Sequence, residues 1–454
     1  MSGPKISIYE LSTWQRRNLR EQLKCDQQGF TCVEQIRQAV SILNSFNEQI
    51  DTLLSTLSFI NARTENCFDE IAELQNMKTS LGQDCSSFIE ELSLNMPVVS
   101  DKITISEDAL KEKKELLVKL KSIQTKAISY HKKMKQTLSE MSDKAQSGVN
   151  EIKGAIADDV AAVSSFYIDS DVNENEQFIN THKELENDLR SLSMSDECPV
   201  EIKTEILEAL TSLQRITNIE YLNIFESVTI KPLLKKYENL LSRQREHQDS
   251  LKELNARYLA LCVIAQTSAR DLSSDSENIE LLTSEIATLE QHIVAQTEQG
   301  YISDCVNEVM ADMGYDLIGN RSVTKRNGKR FRNELFSYSD GTAINVTYDA
   351  EGQIAMELGG IDRTDRVPTS DEADALCEDM ESFCADFKVF EEKLKAKGVA
   401  IKSRISMSPP AAEYAAIINI DDYNITTTMP VSIMTVKGKR RKTATKQTLR
   451  KENN

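Results

Sequence analysis

The sequence predicts a mainly α-helical protein, with long antiparallel coiled-coil helices followed by a small α+β C-terminal domain built on an antiparallel meander. Three observations carry that reading. Apolar residues recur in alternating steps of three and four at Ile36, Ala39, Leu43, Phe46, Ile50, Leu53, Leu57, Ile60, Cys67, Ile71, Leu74, Leu81, Cys85, Phe88 and Leu92, interrupted only by Thr64 and Lys78. A 3.5-residue period of this kind keeps one stripe facing a partner helix. Between Gly154 and Gly300 there is no glycine, the residue that costs about 1 kcal/mol at a helical site. From Gly300 onward lie ten of the 15 glycines, with Asn327-Gly328, Asp340-Gly341 and Glu351-Gly352 set between alternating segments. Such pairs mark hairpin turns because they accept positive φ.

Composition fits helices with two faces better than a large globular core. Of the 454 residues 40% are hydrophobic and 28% charged, with a single Trp. The net charge of −18 argues against the body of the chain being a surface for nucleic acid or anionic lipid. The densest apolar run, 259–265, falls well short of the roughly 20 residues a membrane span needs, so no membrane role is expected. Residues 1–8 hold no hydrophobic stretch of signal-peptide length. The nine cysteines are odd in number and scattered, and Cys25, Cys67, Cys85 and Cys262 fall on helical patterns. They read as small buried hydrophobes in a reducing compartment, which makes the expected location cytoplasmic.

In chain order, residues 1–30 form an arm and a short helix. Ile6, Ile8 and Leu11 alternate with polar residues, an extended segment that could add to a sheet edge. Ser12 and Gln15 have capping-box spacing, and Gly29 closes the helix they start. Arg16, Arg17 and Arg20 read as a solvated face rather than a contact for an acidic partner. Residues 31–167 form a helical hairpin. Its first arm carries the series above, read as one continuous helix about 85 Å long. Met96-Pro97 end it, Ser106 caps the second arm, and Leu116, Leu120, Ile123, Ala127, Tyr130, Met134 and Met141 keep the rhythm. The lysine-rich surface of the second arm complements the acids of the first.

Residues 168–229 open with an acidic linker and continue as a unit of short helices, about 176–192, 199–213 and 216–228. Residues 230–300 form the longest helix, starting at Pro232 and carrying polar sites in its seam at Gln244, His247, Ser268 and Asp275. Those sites read as a locally solvated edge, with a register device or hinge as the alternative. Residues 301–430 begin with a helix through Tyr301, Cys305, Val309 and Met313. Strands follow near 315–318, 323–326, 330–338, 343–348 and 354–358, then a helix over 370–397 closed by Gly398 and a strand over 399–407. Residues 431–454 make a basic tail with too little apolar content to fold.

Catalytic motifs are not found, and no enzymatic activity, metal or cofactor is expected. Gly328-Lys329 is not a phosphate loop, because eight residues separate it from Gly319 and Arg330 follows the lysine. The chain therefore lacks the loop that coiled-coil ATPases require. Cys377 and Cys384 are seven apart with no second pair, against the spacing of a zinc site. His131, His182, His247 and His292 are dispersed. The residues left as candidate contacts for a partner or nucleic acid are Lys437, Lys439, Arg440, Arg441, Lys442, Lys446, Arg450 and Lys451. Without interleaved aromatics they offer charge and no base stacking, so nucleic-acid binding through them is weak and salt-dependent.

Both ends of the chain also resemble a family. Met1-Ser2-Gly3-Pro4-Lys5 with Tyr9-x-Leu11, the run from Asp340-Gly341-Thr342-Ala343 to Gly359-Gly360-Ile361-Asp362, and Cys384-x-Asp386-Phe387 resemble poorly characterised bacterial coiled-coil accessory proteins. Members tend to be encoded beside ATPases or chaperone-like partners in stress or phage-conflict operons. The resemblance covers the ends and the coiled character between them, and it transfers no functional residue. It implies an accessory subunit that positions protein partners, such as an operon-encoded ATPase, in antiviral defence or stress, with self-association through the coils as a further expectation. The alternative is a nucleic-acid-associated protein acting through the tail.

Overall fold

The computed structural model describes residues 3–64, 67–100, 102–164, 173–195, 198–270, 278–324, 330–349, 352–427 and 431–434. The protein is mainly helical, with one largely antiparallel sheet. In order, the elements are β1 (Lys5–Leu11), α1 (Thr13–Thr64), α2 (Phe68–Leu94), α3 (Glu107–Ser164), α4 (Asn173–Met194), α5 (Val200–Leu213), α6 (Ile219–Phe225), α7 (Lys231–Ile264) and α8 (Asn278–Asp312). They continue with β2 (Leu317–Thr324), β3 (Arg330–Ser339), β4 (Thr342–Asp349), β5 (Gln353–Asp362), α9 (Ser370–Ala396), β6 (Val399–Met407), β7 (Ile417–Asn419) and β8 (Asn424–Ile425). The chain divides into two compact units. Unit 1 comprises Met1–Leu23, Val99–Lys111 and Gln291–Asn454, and unit 2 comprises Lys24–Val98 and Glu112–Glu290.

In unit 2, the apolar series does not form one rod. The helix ends at Thr64 and a second begins at Phe68. Cys67 leaves helical geometry at φ −120° and ψ 25°, and its N–H donates to the Asn61 side chain at 3.0 Å. The chain then runs back. Along α3, Asp26 meets Lys113 and Phe46 stacks on His131 at 5.7 Å, so α1 and α3 are parallel. Glu70 meets Lys144 at 3.0 Å, Tyr130 donates to Asp84 at 2.7 Å and Lys126 meets Glu91 at 3.4 Å, so α2 is antiparallel to α3. Ile36, Leu43, Ile50 and Leu57 of α1, Leu74 and Leu81 of α2, and Leu120 and Ala127 of α3 enter one core. The expected charge complementarity is present, although exposed pairs of this kind contribute under about 1 kcal/mol each. Burial and the bond to Asp84 push the Tyr130 hydroxyl up to about 12.

Gly29 does not end a helix. α1 runs straight through it, and a Cβ there would lie 3.4 Å from both Leu120 and Pro97, so the position serves close packing. The expected long helix of residues 230–300 is also two helices. α7 stops at Ile264, Gln266 takes φ 52°, and α8 begins at Asn278. Ser and Asp side chains compete with the helix for its backbone groups, and Ser268 lies in the non-helical stretch; Asp275 lies outside the described residues. Arg257 of α7 and Glu290 of α8 close the reversal. The short helices α4, α5 and α6 pack around Leu189, Ile202, Ile206, Leu213 and Leu222. The acidic linker falls mostly outside the described residues, as do Asn327-Gly328 and the basic tail from 435 onward.

Unit 1 is a sheet with helices on one face. Its strand order is β6-β1-β5-β4-β3-β2-β8, with β7 parallel to β5. The N-terminal arm does not join an edge but enters the sheet between β5 and β6, placing Lys5, Ser7, Tyr9 and Leu11 on the buried side. The helical face is covered by Leu19 of α1, by Val306, Val309 and Met310 of α8, and by Leu376, Phe383, Phe387 and Phe390 of α9. The expected break at Gly300 does not occur, because α8 continues to Asp312. Turns at Gly341 and Gly352 use positive φ as their sequence implies. α9 starts with a full capping box, Thr369 with Glu372. Among the described residues no helix is long and apolar enough to cross a membrane.

Candidate functional site

The eight basic residues singled out from the sequence, Lys437 to Lys442 and onward to Lys451, lie outside the described residues, so the structure places none of them. Three groupings in unit 1 stand out for the chemistry-bearing side chains they bring together, and among the described residues one of these three has spare valence.

The first surrounds Lys5, whose side chain is fully buried. Its Nζ sits 4.5 Å from the Phe383 ring centre and 4.4 Å from that of Phe387, and donates to the Phe383 carbonyl at 3.5 Å. Burial pushes the ammonium below the usual lysine range, while Cys384, Glu391 and Asp386 pull it back. Two aromatic faces compensate a desolvated cation by about 2 kcal/mol or more. The N-terminal strand is thereby anchored to α9. On the same helix, Asp386 accepts from Tyr315 at 2.9 Å and Tyr338 at 3.0 Å, which pins two further segments.

The second is the carboxylate of Glu334, with a side chain only 4% exposed. Tyr348 donates to Oε2 at 2.9 Å, Asn307 to Oε1 at 3.4 Å, and Arg332 pairs with Oε1 while also reaching Ser303 at 2.9 Å. Every oxygen is taken, and the arrangement ties α8 to β3 and β4. A carboxylate so fully paired is a fastening.

The third is a notch in the sheet. β1 pairs with β5 from Gln353 to Met356, and β7 pairs with the same edge of β5 from Gly360 to Asp362. Between them, among the described residues, Glu357, Leu358 and Gly359 have no strand on that side. The ladder's alternation shows which backbone groups are left. Ile361 donates towards β4, to Gly341, whereas Gly360 donates away from it, to the Ala416 carbonyl at 3.0 Å. The N–H and C=O of Leu358 therefore face the gap. The rung that β1 would supply there is Gly3, but its N–H turns to Ser408 at 2.7 Å, and Pro4 has none to give. Among the described residues no main-chain bond to this rung is made, and a main-chain group left without a partner costs about 1–3 kcal/mol when buried.

A cleft of about 210 Å³ occupies this place, lined by Pro4, Glu357, Leu358, Met380, Tyr414 and Ile418 among others. Gly359 lets the wall close up, since a Cβ there would sit 2.9 Å from the Ala416 oxygen. Glu357 opens to solvent, and among the described residues no cation pairs with it. Its partial burial pushes the carboxyl above the usual carboxylate range. Across the strand pair lies Asn345, held by Asn333 at 3.2 Å and by the Tyr423 hydroxyl at 3.0 Å. Among the described residues, the arrangement offers one main-chain donor, one main-chain acceptor and one carboxylate without a cation, against apolar walls.

Sequence reasoning passed over Glu357 because one acid among 72 has no distinguishing pattern. The empty rung is a property of strand ends, which no residue type encodes. Comparison of the chain with protein-family models, characterised proteins and solved structures finds no match.

Proposed function

We propose that this protein is a non-enzymatic coiled-coil scaffold or accessory subunit, cytoplasmic, that positions protein partners, and that the sheet unit is its docking head. The observation that carries the reading is the way α1, α2 and α3 bury their apolar residues. Each places a line of apolar residues into a shared core, while the outward residues are mostly polar and charged, with exposed apolar exceptions such as Phe59, Ile89, Val118 and Ile128. α3 alone is 58 residues, about 87 Å at 1.5 Å per residue. A fold that served only to enclose a site has no use for helices of that length, whereas spacing or clamping of partners does. The resemblance of both chain ends to accessory proteins of stress and phage-conflict operons suggests the partner class, an ATPase encoded alongside.

The experiment is size-exclusion chromatography with light scattering on the full chain, alone and mixed with that ATPase. A stable joint peak of defined stoichiometry supports the reading, and two peaks at the separate masses overturn it. The same run on the protein alone reports any self-association. A second reading rests on the basic tail, whose eight Lys and Arg residues stand out in a chain of net charge −18. It makes the protein a nucleic-acid accessory, and it fails if deletion of residues 437–454 leaves DNA or RNA retention at low salt unchanged.

A further inference from the structure

We propose that the notch beside Leu358 is a docking site for the end of a basic peptide on a partner protein. The inference rests on the scaffold reading and assigns the head its ligand class. The empty rung asks for a main-chain amide, because Leu358 presents an N–H and a C=O on one edge of β5 at the spacing that a neighbouring strand normally satisfies. The gap is a single rung wide, bounded by Lys5 on one side and Ile417 on the other, so it admits a chain end rather than a through-running strand. Its volume of about 210 Å³ suits one or two residues.

Charge selects the class of peptide. Glu357 stands next to the empty rung without a cation among the described residues, in a chain of net charge −18. Its carboxylate pairs with an α-ammonium or with a lysine or arginine side chain, and the Tyr414, Met380 and Pro4 walls take up the aliphatic stem. The contrast with Glu334 is instructive. That carboxylate is enclosed and fully paired, whereas Glu357 is exposed and meets no cation among the described residues.

The test titrates the peptide Lys-Ala-Lys-Ala, labelled at its C-terminus, into the full-length protein and reads fluorescence anisotropy at about 150 mM salt, where remote charge is screened. Saturable binding is expected, weakened about tenfold by Glu357→Gln. Hydrogen exchange is then read at the Leu358 amide. Exchange there is fast without peptide and slows on binding, while Met356 and Gly360 stay protected throughout. N-acetylation of the peptide separates the two cation sources: loss of binding assigns the α-ammonium, retention assigns the side chain, and either keeps the site. Absence of saturable binding, equal affinity in Glu357→Gln, or a Leu358 amide already as slow as its neighbours overturns the proposal. If the peptide fails while the ATPase complex persists, the notch assignment falls and the scaffold reading stands. If the peptide binds as described and no partner complex forms, the scaffold reading is the one that falls.

Discussion

The start of α9 offers a stability test that reads one carboxylate. Glu372 has a side chain only 4% exposed, and Arg366 grips it with two nitrogens at 2.7 and 2.8 Å. The Thr369 N–H adds a third bond at 2.8 Å. These contacts, the Arg366 bonds foremost, hold the carboxyl at about 2 against an ordinary value of 4.5. At about 1.4 kcal/mol per unit the ceiling is about 3 kcal/mol. Arg366 is 29% exposed, so solvent screening brings the expected contribution to about 1–2 kcal/mol. Because the folded value lies below the unfolded one, this stability is complete above about pH 4.5 and is lost as pH falls towards 2. Glu372→Gln removes the charge and keeps the capping box, which glutamine also satisfies. Trp14, the single tryptophan, lies in unit 1, so urea titration followed by its fluorescence reports the unfolding of that unit. The variant should be weaker by about 1–2 kcal/mol at pH 7, and the gap should close towards pH 2. Equal stability at pH 7, or a gap that persists at pH 2, would refute the reasoning.

Two further outcomes follow from burial. Leu120, fully buried where α3 meets α1, should cost about 2–5 kcal/mol as Leu120→Ala, read as a lowered melting transition by circular dichroism at 222 nm. Val118→Ala, on the same helix at 68% exposure, should change it by under about 0.5 kcal/mol. Lys5→Ala should open a cavity between Phe383 and Phe387 and destabilise unit 1 more than Lys5→Met, which keeps the stem and drops the charge. Trp14 fluorescence in urea orders the two, and equal loss in both would mean the ammonium matters more than the packing.

The apolar period was legible in the sequence because it is a property of residue spacing. Leu43, Ile50, Leu74 and Leu81 are buried as that spacing requires. What the period does not encode is where a helix reverses. Neither reversal, after Thr64 or after Ile264, contains Gly or Pro, and a 3.5-residue count passes through both without losing step. The signals that were present are weak ones: Thr64 as a polar member of the series, and the Ser- and Asp-rich stretch after Gln266. Gly29 and Gly300 misled in the opposite direction, since α1 and α8 stay helical across them and one helical glycine costs only about 1 kcal/mol. The hairpins at Gly341 and Gly352 and the closing glycine of α9, Gly398, were readable because positive φ leaves few residue types to choose from. The insertion of β1 into the sheet was visible only as an alternation, with nothing to name its neighbours. The notch exists because β1 and β7 stop short of one another, and that is a matter of assembly.

The helices α1, α2 and α3 fold back so that their apolar lines meet in one core. Spin labels at positions 51 and 78 test this directly, because Asp51 of α1 and Lys78 of α2 form an ion pair across the reversal. Pulsed electron–electron resonance on the otherwise native chain should return a distance shorter than about 20 Å, two label linkers across neighbouring helices about 10 Å apart. A distance near 40 Å, the separation of those positions along one straight helix at 1.5 Å per residue, would contradict it.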